Sequence, residues 1–276
     1  MGRALREHWQ EYLIEAFGLG VFMISAGVFT TLLYSPQSAA SHWITEPLAR
    51  RALTGLAMGG TAVAIIYSPW GRRSGAHLNP AVTLAFFRLG KVATCDAVWY
   101  AVAQTLGGLA GVFLTWMAIG LAFAKPPVNF VVTIPGPAGK EIAALAEFLI
   151  SLFLMLSILI TSNRFRLMRY TGIFSGILIA VYVTFEAPLS GMSMNPSRTL
   201  ASGIPAGNFS ALYIYLLVPP LGMLAAVEVY RLIHGHIHVA CAKLNHVTRV
   251  PCHFICDFKK HGIDVVDALE RQDRST

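Results

Sequence analysis

Six stretches of the chain are almost continuously apolar, and polar or charged residues gather in the gaps between them. They run from Tyr12 to Leu33, Ala52 to Ser68, Ala97 to Ala124, Ile142 to Ser162, Gly172 to Ala187 and Phe209 to Tyr230. A bilayer core takes about 20 residues of helix, so the pattern predicts six membrane-spanning helices, the second and fifth of them short. Six spans return both termini to one side. The first run is too long for the apolar core of a signal peptide and no convincing small-residue cleavage site follows it, which makes it a retained span. Small residues at Gly107, Gly108, Gly111, Gly172, Gly176, Gly222, Ala225 and Ala226 mark where helices can approach closely.

Each short span is followed by an apolar segment containing Gly and Pro. SGAHLNPAVTLAFF begins at Ser74 and SGMSMNPSRTLASG at Ser190, and both read Ser-Gly-x-x-x-Asn-Pro-x-x-Thr-Leu. A second echo puts Glu15 before Ala16 and Phe17 in the first span and Glu147 before Phe148 in the fourth. The chain therefore divides into a first repeat over 12–124 and a second over 138–232, flanked by an N-terminal segment 1–11 and a tail 233–276. Each half holds an odd number of spans, so the second enters the membrane from the opposite side and the repeat is inverted.

Asn at a cap followed by Pro at the first helical position is a strong helix start, because Pro lacks only an N–H that would be unpaired anyway. A helix over 80–89 is about 15 Å long, half the hydrocarbon thickness. Arg88 and Lys91 at its far end suit the negative pole of the helix dipole and the interface, which turns Asn79 toward the midplane. The copy at 196–203 mirrors it from the other side. A lone Asn-Pro is an ordinary turn or cap; two in matched apolar settings predict two half-helices meeting head to head. Non-helical backbone at that depth must be buried in protein or line a wet cavity, so the pattern predicts a pore.

Composition agrees with the membrane reading: 55% of residues are hydrophobic, 13% are charged and the mean hydropathy is +0.59. The formal net charge of +7 does not point to nucleic acid, which needs basic residues on a soluble face interleaved with aromatics. Here they sit between or beyond the apolar runs. Arg3, Arg6, Arg72, Arg73, Arg88, Lys91, Arg164, Arg166, Arg169 and the tail from Arg231 fall on one side, which the positive-inside rule makes the cytoplasm. The other side keeps Arg50, Arg51, Lys125, Lys140 and Arg198. An enzyme is not supported, since the spans carry no nucleophile–base set, and no cofactor motif is present.

The paired Asn-Pro segments resemble the two signature motifs of the aquaporin or major intrinsic protein family, at Asn79-Pro80-Ala81 and Asn195-Pro196-Ser197, with Ser197 standing where the family usually has Ala. The resemblance covers residues 10 to 232. It implies an all-α membrane fold of six spans and two re-entrant half-helices, a homotetramer in the lipid bilayer with one pore per subunit, and water with small neutral solutes as the permeants. Arg198 matches the family's selectivity-filter arginine. That role accounts for a cation in the first turn of a helix, where the dipole disfavours it, and inside the membrane, where charge is costly; the plainer alternative is a side chain snorkelling to the interface. The same resemblance puts Met192, Val183 and either Met58 or Gly59 in the filter, and makes Glu15 and Glu147 anchors of the loops.

Each Asn oxygen can cap its own half-helix and leave the amide N–H₂ to donate into the lumen. Gly75, Ala76 and His77, and Gly191 to Ser193, are expected to run extended and offer a ladder of carbonyls. Such a pore compensates a neutral solute for lost water but not an ion, and two positive helix ends plus Arg198 oppose cations and protons. Val183 stands where many water-selective members have His, which favours broader solutes such as glycerol or hydrogen peroxide. Thr199 stands where typical glycerol-conducting members have Asp, which argues the other way. A facilitator with little water selectivity is the alternative; a secondary transporter is disfavoured because the pore candidates include no intramembrane acid pair. His77 reads as a loop residue ahead of a pH sensor.

The tail carries His234, His236, His238, Cys241, His246, Cys252, His253, Cys256 and His261. Its spacings match no standard zinc motif, so it reads as a basic tail with no metal site, and three of the four cysteines there lie in reducing cytosol, away from disulfide chemistry. No cysteine falls in the filter. Mercurials are therefore expected not to block by plugging it, and block lost on replacing Met192 would contradict that.

Overall fold

A computed structural model describes residues 1–234, 239–250, 252–260 and 264–267. Every regular element among them is helical. The spans are α1 (Gly2–Tyr34), α2 (Pro47–Tyr67), α4 (Thr94–Ile119), α5 (Lys140–Ser162), α6 (Thr171–Phe185) and α8 (Leu212–His234), and the half-helices are α3 (Pro80–Arg88) and α7 (Pro196–Ala206). Five helical stretches, α1, α4, α5, α6 with its leading turn from Met168, and α8, are long and apolar enough to cross a membrane. The less uniformly apolar α2 lies between α1 and α6.

Local chemistry explains the boundaries. Glu46 caps α2 by accepting from the Ala49 N–H, with Pro47 in the first turn. Ser68 ends α2 and in the same place starts a short helix, Pro69–Ser74, whose last residue is followed by Gly75 at φ 98°. Several boundaries differ from expectation, three of them by local chemistry that the structure shows. The helix of the first span reaches back to Gly2, with a break at His8, so residues 2–11 continue it. The third span stops at Gly120, ahead of a separate turn at Leu121–Ala124. The second half-helix runs on to Ala206 because Gly203 does not end it; Gly207, left-handed at φ 62°, does.

The inverted repeat governs the packing. The first and third spans of each half pair extensively, α1 with α4 and α5 with α8, while α2 and α6 pair across the halves. Each half-helix lies against the third span of both halves, α4 and α8. Close approach of α1 and α4 depends on absent side chains: a Cβ on Gly107 would run into the Ala16 backbone and one on Gly111 into that of Gly20. Outward-facing Leu56, Leu106, Met117, Leu145, Phe153 and Leu217 leave an apolar exterior, as a lipid-facing surface requires. The core follows the axis: one cluster joins Tyr12, Phe86, Tyr100, Met155, Met194 and Met223 with tail residues from Val239 to Cys256.

Candidate pore

The two loops that deliver the half-helices are built alike, each around a buried carboxylate. Glu15, fully buried, accepts at Oε1 from the Ser74 hydroxyl (2.7 Å) and the His77 N–H (3.1 Å). Its Oε2 accepts from the Leu78 N–H (2.7 Å) and the Gln104 amide (2.9 Å). Glu147, equally buried, accepts from the Ser190 hydroxyl and the Ser193 N–H (both 2.7 Å) and from the Met194 N–H (2.8 Å). Tyr100 donates to the Ser74 carbonyl at 2.6 Å and Tyr215 to the Ser190 carbonyl at 2.5 Å. His77 Nδ1 meets the Thr83 hydroxyl at 3.0 Å, and in the second half Ser193 meets Thr199 at 2.5 Å.

Neither loop runs extended. Gly75, Ala76 and Leu78 have φ of 98°, 53° and 53°, and Gly191, Met192 and Met194 have 82°, 51° and 53°. In a strand successive carbonyls point to opposite sides; left-handed residues alternating with His77 and Ser193 redirect them. Such dihedrals cost about 1–3 kcal/mol each outside Gly and persist where the surroundings over-determine them. The bonds to Glu15 and Glu147 are that surrounding.

The carbonyls and amides are then used differently from the simple expectation. Asn79 caps α3, its Oδ1 accepting from the Ala81 N–H at 2.8 Å, and Asn195 caps α7, accepting from the Arg198 N–H at 3.2 Å. Asn79 Nδ2 donates to the Met194 carbonyl and Asn195 Nδ2 to the Leu78 carbonyl, both at 2.7 Å. One N–H of each amide is therefore spent locking the two loops together, which leaves one for the lumen. Pro80 and Pro196 open the half-helices. Ala81 is buried, and Ser197 turns to Thr105 on α4 at 2.7 Å.

A cavity of about 520 Å³ runs past both asparagines. Met58, Val183, Met192 and Arg198 line it, together with Ala76, His77, Gly191 and Ser193. Gly59 does not fit the filter: a Cβ there would meet the Gly176 carbonyl, so it faces α6, a contact that helical phase decides. Arg198 is half-buried and donates to the Thr133 hydroxyl. Arg51, whose Nε donates to the Thr184 carbonyl at 2.9 Å, lines the same cavity; sequence reading had placed it in a loop, and nothing in the local pattern turns it inward. The sequence reading also missed Tyr100 and Tyr215, although they follow the two Asn-Pro segments at nearly equal distance, a signal that could have found them.

The tail reaches the site as well. Leu244 lines the cavity, and its N–H donates to the Gly75 carbonyl at 3.2 Å, so that carbonyl is not offered to the lumen. His77 donates from Nε2 to the Ala242 carbonyl at 2.8 Å and lies stacked between Phe86 and Phe254, each 5.2 Å away. Both ring nitrogens are thus engaged in holding structure. Although its linear spacing matches no standard zinc motif, the tail brings ligand atoms of Cys241, His246, Cys252 and Cys256 all within 4.8 Å of one another. Linear spacing missed them because chain folding, not a short motif, brings them together. His236, His238 and His261 lie outside the described residues.

Similarity to known proteins follows the same outline. The family model for Major intrinsic protein matches residues 4–230. Aquaporin NIP1-3 of Oryza sativa subsp. japonica is 37% identical over 177 residues, 63% of this chain and 59% of that protein, so the match spans less than two thirds of the relative. Aquaporin NIP1-1 of the same plant is 32% identical over 228 residues, 81% of this chain and 74% of the relative. The solved aquaglyceroporin from Plasmodium falciparum shares the fold with a TM-score of 0.67 at 20% identity, covering 83% of this chain and 97% of that one. Because the matched region takes in all six spans and both Asn-Pro half-helices, the chain belongs to the major intrinsic protein family.

Proposed function

We propose that this protein is a passive channel for water and small uncharged solutes, glycerol and hydrogen peroxide among them, that holds back ions and protons. The reading rests on one observation above the rest: a single cavity passes two half-helix N-termini, the Asn79 and Asn195 amides and the Arg198 guanidinium. Permeants meet hydrogen-bond partners at the asparagines and positive electrostatics throughout, which suits a neutral molecule and opposes a cation. Arg198, Met192, Val183 and Met58 form the filter in this reading, with Arg51 beside it. The charge count of the loops supports cytoplasmic termini, and the family resemblance supports a homotetramer in the bilayer.

Apolar Val183, Met192 and Met58 on the cavity wall favour solutes with carbon skeletons, so a solute facilitator with little water selectivity is the second reading. Stopped-flow swelling and shrinking of proteoliposomes with water, glycerol and peroxide side by side separates the two. Flux above bare lipid for water and at least one solute, without a proton leak, is the expected result. No flux for any of them, with the wild type and with Leu244→Ala alike, would sink the channel reading.

A further inference from the structure

Most of the tail among the described residues has no regular structure; helix is confined there to Asp257–Lys260 and to residues 265–267. Even so it is tightly held. Cys241, Ala242, Lys243, Leu244, Cys252, Phe254 and Cys256 are all buried. An irregular segment with this little apolar mass needs a further tie to stay folded.

The four clustered side chains have the chemistry of that tie. Cys241 Sγ lies 3.4 Å from Cys252 Sγ, and His246 Nε2 lies 3.2 Å from Cys256 Sγ. The cysteines are free thiols, and a disulfide would bring two sulfurs to about 2.05 Å. A tetrahedral site with metal–sulfur bonds of about 2.3 Å has edges of about 3.8 Å, so the cluster needs to open only slightly to enclose an ion. Three thiolates and one imidazole favour a soft or borderline cation over magnesium or calcium, and among such ions zinc takes this set as a closed structural site. Three thiolates around a divalent ion carry one net negative charge. Lys243, two residues from Cys241 in sequence and 1% exposed, is a basic side chain of the opposite sign.

The loop so tied sits on the pore. Besides the Leu244 and His77 bonds, His253 Nε2 meets the Tyr100 hydroxyl at 2.8 Å, and the Ile255 N–H donates to the Lys91 carbonyl at 3.0 Å. Lys91 pairs with Asp257 at 2.8 Å. A Cβ on Gly75 would lie 2.7 Å from the Phe254 ring, so the first re-entrant loop and the tail are shaped to each other. Leu244 stands in the wall of the cavity, carried on the chain between Cys241 and His246.

We infer that Cys241, His246, Cys252 and Cys256 bind a zinc ion that holds the tail as a plug, with Leu244 inserted into the mouth of the pore on the tail side. Loss of the metal frees the plug and raises permeability. The metal site stands on its own geometry; the plug rests on the channel reading.

The test uses the full-length protein purified without chelator. About one zinc per chain by elemental analysis, tetrahedral cobalt–thiolate absorption after exchange, and loss of both in the Cys252→Ser/Cys256→Ser double variant are expected. In proteoliposomes, a strong zinc chelator is expected to raise water permeability several-fold and zinc to reverse it. Leu244→Ala should raise permeability while keeping its zinc, which covers the case in which the cysteine variant fails to fold. Absence of bound zinc together with absence of the cobalt signal overturns the site. Stoichiometric zinc with permeability unmoved by chelator and by Leu244→Ala, at a level above lipid, overturns the plug. If zinc binds but neither chelation nor Leu244→Ala lifts water flux above lipid, the channel reading falls and the plug with it, while the metal site stands.

Discussion

Glu147→Ala is expected to destabilise the folded protein by roughly 3–9 kcal/mol and to lower its melting temperature sharply in detergent. The carboxylate is fully buried and takes the Ser190 hydroxyl and two loop N–H groups. Removing it leaves three buried donors without an acceptor, at about 1–3 kcal/mol each. It also releases what holds Met192 and Met194 at positive φ, so the loop can relax out of the shape that presents Asn195. Glu15→Ala is expected to act in the same direction, since that carboxylate accepts four bonds in the first loop. The measurement is a thermal unfolding curve for each variant against wild type. A Glu147→Ala protein that melts with the wild type would mean that this anchor does not hold the loop.

The second large effect is on ion exclusion. Arg198 brings a unit positive charge to the cavity wall, and α7 points its N-terminus at the same space. A cation about 6 Å from that charge, at an effective dielectric constant of about 20, meets a barrier of about 3 kcal/mol, or roughly a hundredfold in passage. Arg198→Ala is therefore expected to admit protons or sodium and to pass larger neutral solutes faster. Asn195→Asp should act the same way by putting negative charge where the half-helix ends meet. Arg198→Lys, which keeps the charge and loses the planar guanidinium, should leave cation exclusion near wild type. The readout is proton and sodium flux into proteoliposomes, measured in a Leu244→Ala background so that the tail does not mask it. If Arg198→Ala and Asn195→Asp both exclude cations as well as their parent does, the barrier is not electrostatic at these residues.

Much of this architecture is legible because it is local. Apolar runs long enough to cross a bilayer, Asn-Pro helix starts and two matching segments depend on residues near each other in sequence. Hydropathy and cap chemistry read them without knowledge of contacts. Ser74 and Ser190 belong to the same repeat, and the tyrosines at 100 and 215 follow it almost in register. Sequence alone could not tell Met58 from Gly59, because one residue turns a helical side chain by about 100° and the register of α2 against α6 is set by packing across the halves.

The paired Asn-Pro half-helices, the inverted division of the chain and the presence of Arg198 beside the second pair were determined by the sequence itself, through periodicity and the energetics of helix ends in a bilayer. Three features were decided only by tertiary structure. The left-handed turns of both loops exist because Glu15 and Glu147 reach them from distant spans. Half of each Asn amide is taken by a carbonyl of the opposite loop. The tail, unremarkable in its spacing, gathers Cys241, His246, Cys252 and Cys256 beneath the pore. All three join residues far apart along the chain or in no regular period, and the free energy of such contacts is written in the packed fold and not in any local pattern.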